Sequence, residues 1–343
     1  MYILSQYPQL SETYIKTEME ALCNDFDIKV IALGKADFAY KRCFPFLYLT
    51  DPALICEAVE DYRPHVIHTH WLREHIGLVA DVAKRANVPF TVRAHSFDTL
   101  WKEPSLLRRL TGSRGVPSEL SRIASLINDD LCLGVLVFPF TLARLRKAGI
   151  SEAKLHACFP VVHYPRFLDR SSNGDAVMNT GACLAKKQFE DFLELGRSLP
   201  DREFNLYAIG YDRDRIQALN DAKGKPVNMI SPVEPDDMPA QYKKHRWLVY
   251  TASREIATVG WSVSIAEAQA SGVGVCVPNL RPDLREYVGE GGFLYNSMSE
   301  VKDIISKPFP EEMRQAGFEQ AKKSDIFRHR HALTDLWAAA ISA

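Results

Sequence analysis

The sequence has no appreciable net charge and no closely spaced cysteines. Its 42 lysines and arginines against 43 aspartates and glutamates leave a formal charge of -1, which gives no electrostatic case for a nucleic-acid partner. The seven cysteines are odd in number and widely scattered, without a Cys-x-x-Cys pair. This argues against a disulfide framework or a zinc site and favours a reducing cytoplasm.

Long hydrophobic runs are also missing. The longest, residues 131–140, is interrupted by Gly134 and Pro139 and is too short to span a bilayer. The first residues carry neither a basic leader nor an apolar run long enough for a signal peptide. With 46% hydrophobic and 25% charged residues over 343 positions, the composition predicts a cytoplasmic globular protein with room for two domains.

What the sequence does contain is a repeated alternation of short apolar runs and amphipathic stretches. Residues 65–68 and 89–92 are predicted strands, and the segment 74–86 between them has apolar residues at helical spacing. Such alternation predicts βαβ units and a parallel sheet that is covered on both faces. The sequence therefore indicates the α/β class.

The alternation pauses at residues 169–175, which are polar and turn-rich, and then starts again. Two consecutive α/β segments of similar size predict two Rossmann-like domains that face a central cleft. We place the N-terminal domain at residues 1–170, the C-terminal domain at 171–325 and a closing helix in 326–343.

The turn at residues 259–264 is the most informative, because ligands of open parallel sheets bind beyond the carboxyl ends of the strands. Gly260 lets the backbone approach a ligand, and Ser262 or Ser264 can cap the following helix. Free amides at that helix end would hold a diphosphate, and the Glu267 carboxylate would accept hydrogen bonds from ribose hydroxyls. Taken alone, the turn favours an ordinary serine-capped helix with an acidic start.

The turn belongs to a longer set of residues with defined spacing. They are Gly260-Trp261, Ser264, Glu267-Ala268, Ala270-Ser271-Gly272, Glu286-Tyr287-Val288 and Glu290-Gly291-Gly292-Phe293-Leu294. Together they resemble the donor-binding signature of glycosyltransferase family 4. A match over about fifty residues is far more specific than a lone glycine motif.

The resemblance extends over nearly the whole chain. Further similar segments are Tyr7 to Ile15 with its Ser-Glu-Thr, His68-Thr69-His70, Arg93 to Asp98, and Thr180-Gly181 followed by Lys186-Lys187-Gln188-Phe189. The closing helix resembles the one that returns to the N-terminal domain in this family.

What the resemblance implies is a GT-B fold and retaining transfer of a hexose from a nucleoside-diphosphate sugar, commonly a UDP-sugar, without a metal cofactor. The acceptor would be a glycan, a lipid-linked glycan or a small molecule. Polysaccharide or glycoconjugate biosynthesis would be the setting. Charge builds up on the leaving diphosphate, so fixed cations and amides aimed at it are the main catalytic resource.

The resemblance also assigns roles to individual residues. His95, near the donor sugar, and Lys187, on the phosphates, would be catalytic. The donor would be held by Ser11, Gly181, Lys187, Ser231 within the base-binding segment 229–233, Gly260, Trp261, Ser262, Val263 and Glu267; the acceptor would contact His70 and Asp98.

Two positions depart from the family pattern. Val259 stands where the first glutamate of the signature is expected, and Ala182 stands where a phosphate-binding arginine is expected. Their absence removes a carboxylate and a bidentate phosphate contact, for which Arg254 or Glu255 could compensate. An alternative function is therefore a catalytically weakened GT-B protein that binds nucleotide sugar or glycan as a partner subunit. A sugar-nucleotide epimerase of the same fold fits Glu267 less well.

Several of these residues have simpler structural explanations. Lys187 could be a solvated lysine, His95 a structural histidine, and Ser11 a helix N-cap. His68 and His70 lie on one side of a strand, but no third ligand is near them in sequence, so no metal site is expected.

Two other patterns allow two interpretations each. Asp212-Arg213-Asp214 is similar to a metal-binding Asp-x-Asp motif, yet a capped helix start explains it better. Residues 84–122 hold eight lysines or arginines against three acids, with Leu106-Leu107-Arg108-Arg109-Leu110 among them. This segment is either a peripheral contact with the cytoplasmic face of a membrane or, more commonly, a solvated surface.

Overall fold

The structure, a computed structural model, describes residues 1–100 and 119–341. The N-terminal half carries a parallel sheet in the order β3-β2-β1-β4-β5-β6-β7. Its strands are β1 Tyr2–Tyr7, β2 Val30–Lys35, β3 Phe46–Tyr48, β4 Ile67–His70, β5 Phe90–Arg93, β6 Cys132–Val137 and β7 Leu155–Ala157. The strand order reverses between β1 and β4, which is the point where open α/β sheets form a ligand crevice.

The C-terminal half carries a second parallel sheet, in the order β10-β9-β8-β11-β12-β13. Its strands are β8 Ala176–Ala182, β9 Phe204–Ile209, β10 Asn228–Met229, β11 His245–Val249, β12 Gly274–Pro278 and β13 Gly292–Tyr295. Here the order reverses between β8 and β11, so each half has its own crevice.

Helices connect the strands and cover both faces of each sheet. In the N-terminal half they are α1 Thr13–Leu22, α2 Pro52–Tyr62, α3 Ile76–Ala86, α4 Ser96–Leu100, α5 Glu119–Ile127, α6 Leu142–Lys147 and α7 Tyr164–Phe167. In the C-terminal half they are α8 Phe189–Ser198, α9 Arg213–Ala222, α10 Met238–Tyr242, α11 Val263–Ala270, α12 Asp283–Val288, α13 Met298–Ile305, α14 Glu311–Ala321 and α15 Ile326–Ile341.

Local sequence explains where helix α2 begins. The Asp51 side chain accepts a hydrogen bond from the Ala53 amide at 2.8 Å, and Pro52 occupies the first turn of α2. Asp212 precedes α9 as predicted, but its side chain does not cap the helix, because it pairs with Arg215.

Each sheet has an apolar core on each of its faces, four clusters in the described part of the chain. The inner strands β4, β5 and β12 are wholly buried, as expected for parallel sheets that are covered on both faces. The predicted α/β class with two Rossmann-like sheets is confirmed. The domain limits at residues 170 and 325 stay a prediction, although both fall between described elements.

The last helix returns to the first half of the chain. Helix α15 packs against α1 and β6. Its Trp337 lies edge-on to Phe26 at 5.2 Å between ring centroids and donates a hydrogen bond from Nε1 to Thr91 Oγ1 at 3.0 Å. The predicted crossing back is confirmed.

Strand β4 ends two residues later than predicted. The sequence interpretation placed it at residues 65–68, because the apolar run stops there, but the strand occupies Ile67–His70. His68, Thr69 and His70 are buried polar residues that hydrogen-bond within the fold. Because these residues are polar, the apolar pattern did not reveal the carboxyl end of β4. Ligands of open parallel sheets bind beyond that end.

In the described ranges, no helix is both long and apolar enough to cross a membrane. Most of the basic segment proposed for membrane contact, including Leu106 to Leu110, falls between residues 100 and 119 and lies outside the described residues.

Candidate functional site

A cavity of about 320 Å³ lies between the two halves, at the carboxyl ends of both sheets. Every residue predicted to be catalytic or to bind the donor lines it: Ser11, His95, Gly181, Lys187, Ser231, Gly260, Trp261, Ser262, Val263 and Glu267. The structure thus brings these residues to one place from both halves. Their roles stay predictions.

Lys187 places a buried amine in the wall of the cavity. It ends the short 3-10 turn Ala185–Lys187 that follows β8, and its side chain lies over the Tyr250 ring with Nζ 4.1 Å from the centroid. Burial lowers the pKa of this amine to about 7. Within the described ranges no carboxylate pairs with it, so it is not the solvated surface lysine of the simpler explanation.

Gly181 is needed beside this lysine for two reasons. Its φ of 139° is one that side chains rarely adopt, and a Cβ there would lie 3.0 Å from Lys187 Nζ. Ala182, in place of the family's arginine, also lines the cavity. A second lysine, Lys186, lines it as well, and burial lowers its pKa. Sequence analysis noted Lys186 only as part of a motif.

Gly260 allows a close approach to the N-terminal half of the protein. A Cβ at this position would collide with the Ser96 side chain at the start of α4. Gly260 also lines the cavity, so its approach to a ligand stays a prediction. The loop before α11 therefore rests directly on the N-terminal half.

The start of α11 is not capped by a side chain. Ser262 stands at the N-cap position with extended backbone angles, yet its hydroxyl lies 2.9 Å from the Ser264 hydroxyl instead of bonding to an amide. The predicted serine cap is wrong at both positions for this reason. A helix N-terminus that side chains leave uncapped, at the edge of a cavity, can receive an anion.

Glu267 lies one turn further along α11 and also reaches the cavity. The Tyr242 hydroxyl donates a hydrogen bond to its Oε2 at 2.8 Å. Burial raises the pKa of this carboxyl to about 7, and the Tyr242 hydrogen bond opposes the shift only in part. Tyr242 fixes one carboxyl oxygen and so orients the group.

Trp261 is held within an aromatic cluster between the halves. Its ring stacks on Tyr287 at 4.8 Å with the planes 4° apart, and its Nε1 donates to Asp283 Oδ2 at 2.8 Å. Phe138 and Phe140, from the N-terminal half, pack on its ring. The side chain therefore supports the loop, and at 4% exposure little of it remains to touch a ligand.

The two departures from the family pattern are not compensated as expected. Val259 is buried, and its carbonyl oxygen accepts a hydrogen bond from Arg281. Arg254 donates to the carbonyl oxygens of Tyr295 and Asn296 instead of reaching the cavity, and Glu255 does not line it. In this arrangement of the loop, neither Arg254 nor Glu255 lies where it would compensate for the two missing side chains.

His95 is the last member of a buried hydrogen-bonded chain. Its Nε2 lies 3.1 Å from His70 Nδ1, and His70 Nε2 lies 3.2 Å from Glu18 Oε1. Arg93 donates to the other Glu18 oxygen at 2.6 Å. Burial, together with His70 and Arg93, holds the pKa of His95 well below its usual range, so the imidazole that faces the cavity is neutral at neutral pH.

The two residues predicted to bind the acceptor, His70 and Asp98, do not line the cavity. Both are buried. His70 orients His95, and the Asp98 carboxylate accepts the backbone amides of His95 at 2.9 Å and Arg73 at 3.3 Å. Burial raises the pKa of Asp98 to about 7. Both residues therefore lie behind the cavity wall, where their hydrogen bonds position His95.

Glu18 is a residue that sequence analysis missed. It comes from α1, and its carboxylate lies with His68 and His70 so that one ligand atom of each is within 4.8 Å of the others. This is the third potential metal ligand that the sequence did not reveal. Arg93 pairs with the same carboxylate, and a buried guanidinium beside the cluster would oppose a metal cation.

The simpler explanation for Ser11 is also corrected. Ser11 lies inside the short turn Leu10–Glu12, and Glu12 occupies the N-cap position of α1 without a side-chain cap. Glu12 lines the cavity beside Tyr14 and Trp71. Sequence analysis assigned no function to Glu12 or Trp71, although Glu12 is part of the Ser-Glu-Thr motif.

Solved structures of other proteins share this architecture. HepE from Anabaena, in complex with UDP, is 12% identical and superposes with a TM-score of 0.72 over 98% of this chain and 99% of that chain. A glycosyltransferase from Rickettsia africae is 15% identical, with a TM-score of 0.67 over 99% and 98%. Sucrose-phosphate synthase from Thermosynechococcus elongatus is 15% identical, with a TM-score of 0.66 over 99% and 98%.

No protein-family model and no curated protein matches the sequence. At 12% to 15% identity the structural likeness concerns the fold. The similar structures are those of GT-B glycosyltransferases, and they match this chain over nearly all of its length. The protein therefore has the GT-B fold, with one crevice from each half opening on the shared cavity.

Proposed function

We propose that this protein is a glycosyltransferase that binds a nucleoside-diphosphate sugar in the cleft between its halves. The observation that carries the proposal is Lys187, a buried amine without a carboxylate partner among the described residues. It lines one cavity with the uncapped start of α11 and with Glu267. A diphosphate supplies the negative charge that this arrangement lacks.

The role of each residue follows from its chemistry and its position in the cavity. Lys187 and the α11 amides stabilise the negative charge that develops on the leaving diphosphate. Glu267, held by Tyr242, accepts the ribose hydroxyls, and the segment with Ser231 borders the cavity where the base rests. His95 presents a neutral imidazole to the sugar.

The finer parts of the proposal rest on the sequence resemblance. They are retention of configuration, a hexose, metal-free chemistry, and membership of glycosyltransferase family 4. We further propose UDP as the nucleotide, since the similar HepE structures contain UDP and UDP-glucose. A cytoplasmic glycan or lipid-linked acceptor belongs to the same proposal.

The test is a titration with UDP and UDP-glucose, followed by assays for hydrolysis and transfer. We expect Lys187→Met to weaken UDP binding by at least about tenfold, because a charge-assisted contact is worth roughly 1.5–3 kcal/mol. Lys302→Met is the matched control, since Lys302 is an exposed lysine on α13. Unchanged UDP affinity in Lys187→Met would refute the site.

A second candidate function is a binding subunit without turnover. The buried Val259 and the small Ala182 favour it, because they leave the cavity without a carboxylate and an arginine that the family signature contains. Binding of UDP-glucose that raises the melting temperature, with neither hydrolysis nor transfer, would establish this alternative.

A further inference from the structure

Glu18 is a buried carboxyl group with no role of its own in the proposed donor site. It comes from α1, is wholly buried and does not line the cavity. Arg93 donates to its Oε2 at 2.6 Å, and the Tyr2 hydroxyl donates to its Oε1 at 3.1 Å. Although burial acts to raise it, the neighbouring guanidinium holds the pKa of Glu18 well below its usual range. The group is therefore a carboxylate at neutral pH, and a carboxylate only accepts hydrogen bonds.

This carboxylate determines which nitrogen of His70 carries the proton. Burial lowers the pKa of His70 to about 4, so its imidazole is neutral at neutral pH and has a single N–H. His70 Nε2 lies 3.2 Å from Glu18 Oε1. The proton is on Nε2, because an unprotonated Nε2 would set its lone pair against those of the carboxylate. The other nitrogen of His70, Nδ1, is consequently an acceptor.

His70 determines the proton position of His95 in the same way. His95 Nε2 lies 3.1 Å from the accepting Nδ1 of His70, so the single proton of the neutral His95 ring is on Nε2. His95 Nδ1 is then unprotonated. It makes no hydrogen bond within the described ranges, yet it is not closed off from solvent, and the residue lines the cavity.

Aromatic neighbours hold the His95 ring in this orientation. The ring centroids of Trp71 and Tyr14 lie 4.4 Å and 4.6 Å from that of His95, and the His70 ring is stacked on it at 5.3 Å. The ring therefore keeps Nε2 toward His70 and leaves Nδ1 for a ligand.

We propose that Glu18 and His70 are positioning residues that fix His95 in its Nε2–H form, so that Nδ1 accepts a hydrogen bond from a hydroxyl of the donor sugar. The sugar contact rests on the proposed glycosyltransferase function. The fixed proton gives the site a preference, because an unprotonated nitrogen attracts an O–H and repels a group that offers only lone pairs.

The first test reads the proton positions directly, by NMR correlation of the ring nitrogens in the full chain with isotope-labelled histidine and no ligand. His95→Gln identifies the signals of that ring. We expect the Nε2–H form for His70 and His95 at neutral pH. Glu60→Gln, at an exposed position of α2, is the matched control and should leave both forms unchanged.

Glu18→Gln should reverse the chain without changing its shape. Arg93 retains the amide oxygen, so the amide NH2 faces His70 Nε2, which must then accept. The proton of His70 moves to Nδ1, and that of His95 moves to Nδ1 as well. A side chain with only a packing role would not move these protons. If Glu18→Gln does not fold, the wild-type spectrum still decides, because an Nδ1–H form of His95 there would overturn the inference.

The second test compares UDP-glucose with analogues in which fluorine replaces one sugar hydroxyl, since fluorine cannot donate. For the wild-type protein, at least one analogue should bind at least fivefold more weakly than UDP-glucose. In Glu18→Gln that difference should fall below twofold, while UDP affinity stays within twofold of wild type. Differences that are the same in both proteins would refute the sugar contact.

The two tests separate this inference from the proposed function. Failure of the wild-type protein to bind UDP would refute the function and with it the sugar contact, whereas the spectra would still show whether Glu18 sets the proton position. Normal UDP binding with an unchanged His95 form in folded Glu18→Gln would overturn the inference and leave the function standing.

Discussion

Lys187 and Glu267 face the same cavity with their pKa values displaced in opposite directions, and for the same reason. Burial lowers the pKa of the Lys187 amine to about 7 and raises that of the Glu267 carboxyl to about 7. In each case the neutral form is favoured, because charge is poorly solvated there. An anionic ligand beside Lys187 would favour the charged form of its amine.

The first prediction concerns Lys187 and protons. At pH 8 its amine is mostly neutral in the free protein, and a bound diphosphate raises its pKa, so UDP binding should take up protons. Calorimetric titration in buffers of different ionisation enthalpy measures this uptake. Lys187→Met should abolish most of it. A wild-type uptake equal to that of the variant would contradict the assignment.

A second prediction concerns Glu267 and stability. Its folded pKa lies above the usual value of 4.5, so the folded state holds the proton more tightly and this group's contribution to stability falls as pH rises from about 4.5 to 7. At pH 8, Glu267→Gln should therefore raise the free energy of unfolding, by up to roughly 3 kcal/mol, while it weakens UDP binding.

Denaturant unfolding at pH 4.5 is the internal control for Glu267→Gln. There the carboxyl is largely protonated when folded, and the gain should shrink toward zero. Tyr242 can still donate to the amide oxygen, so the variant loses no hydrogen bond. A variant that is less stable than the wild type at pH 8 would show that the carboxylate form stabilises the fold.

At the scale of single elements, α15 determines how well the first sheet is covered. Trp337 is 6% exposed and contacts Phe26 and Thr91. Trp337→Ala should lower the free energy of unfolding by about 3–5 kcal/mol, as large-to-small substitutions in cores do. Asp335→Ala, at an exposed position of the same helix, should change it by less than about 0.5 kcal/mol. Equal effects in both variants would contradict the packing.

Elements with regular apolar spacing were predictable, and the residues at their ends were less so. The helix expected at 74–86 is Ile76–Ala86, because its buried side chains recur at helical intervals. Strand β4 extends beyond its apolar run because His68 and His70 find partners inside the fold. Glu18 was not predictable, since only the packing of α1 on the sheet brings it to those histidines.

In the candidate site, too, the residues that line the cavity were predictable from the sequence, whereas some of their tertiary contacts were not. The predicted donor residues meet in one cavity because they follow strands whose ends lie together. The contact of Gly260 with Ser96 depends on how the two halves meet. No spacing within the chain encodes that arrangement.

At the scale of the whole molecule, charged residues join the halves beside the cavity. Asp236 of the C-terminal half pairs with Lys16 at 3.1 Å and with Arg166 at 3.0 Å, and Arg42 lies at 3.6 Å. Arg166 also bonds to Glu20 at 2.9 Å. Although partial burial opposes it, the Lys16 ammonium holds the pKa of Asp236 below its usual value.

Asp236→Asn should loosen the contact between the halves more than it destabilises either one. We expect a change in unfolding free energy of no more than about 1 kcal/mol, since the pairs are partly exposed, together with a larger radius of gyration in X-ray scattering without ligand. Asp221→Asn, within the C-terminal half, is the control. An unchanged radius at low and high salt would show that apolar contacts alone close the cleft.

The return of α15 to the first sheet also sets an order of assembly during synthesis. The ribosome releases the N-terminal half with one face of its sheet only partly covered, by α1, while the C-terminal half already has every strand and most of its helices before α15 emerges. The part that is made first is therefore completed last, and until then its exposed apolar face is open to chaperones and to aggregation.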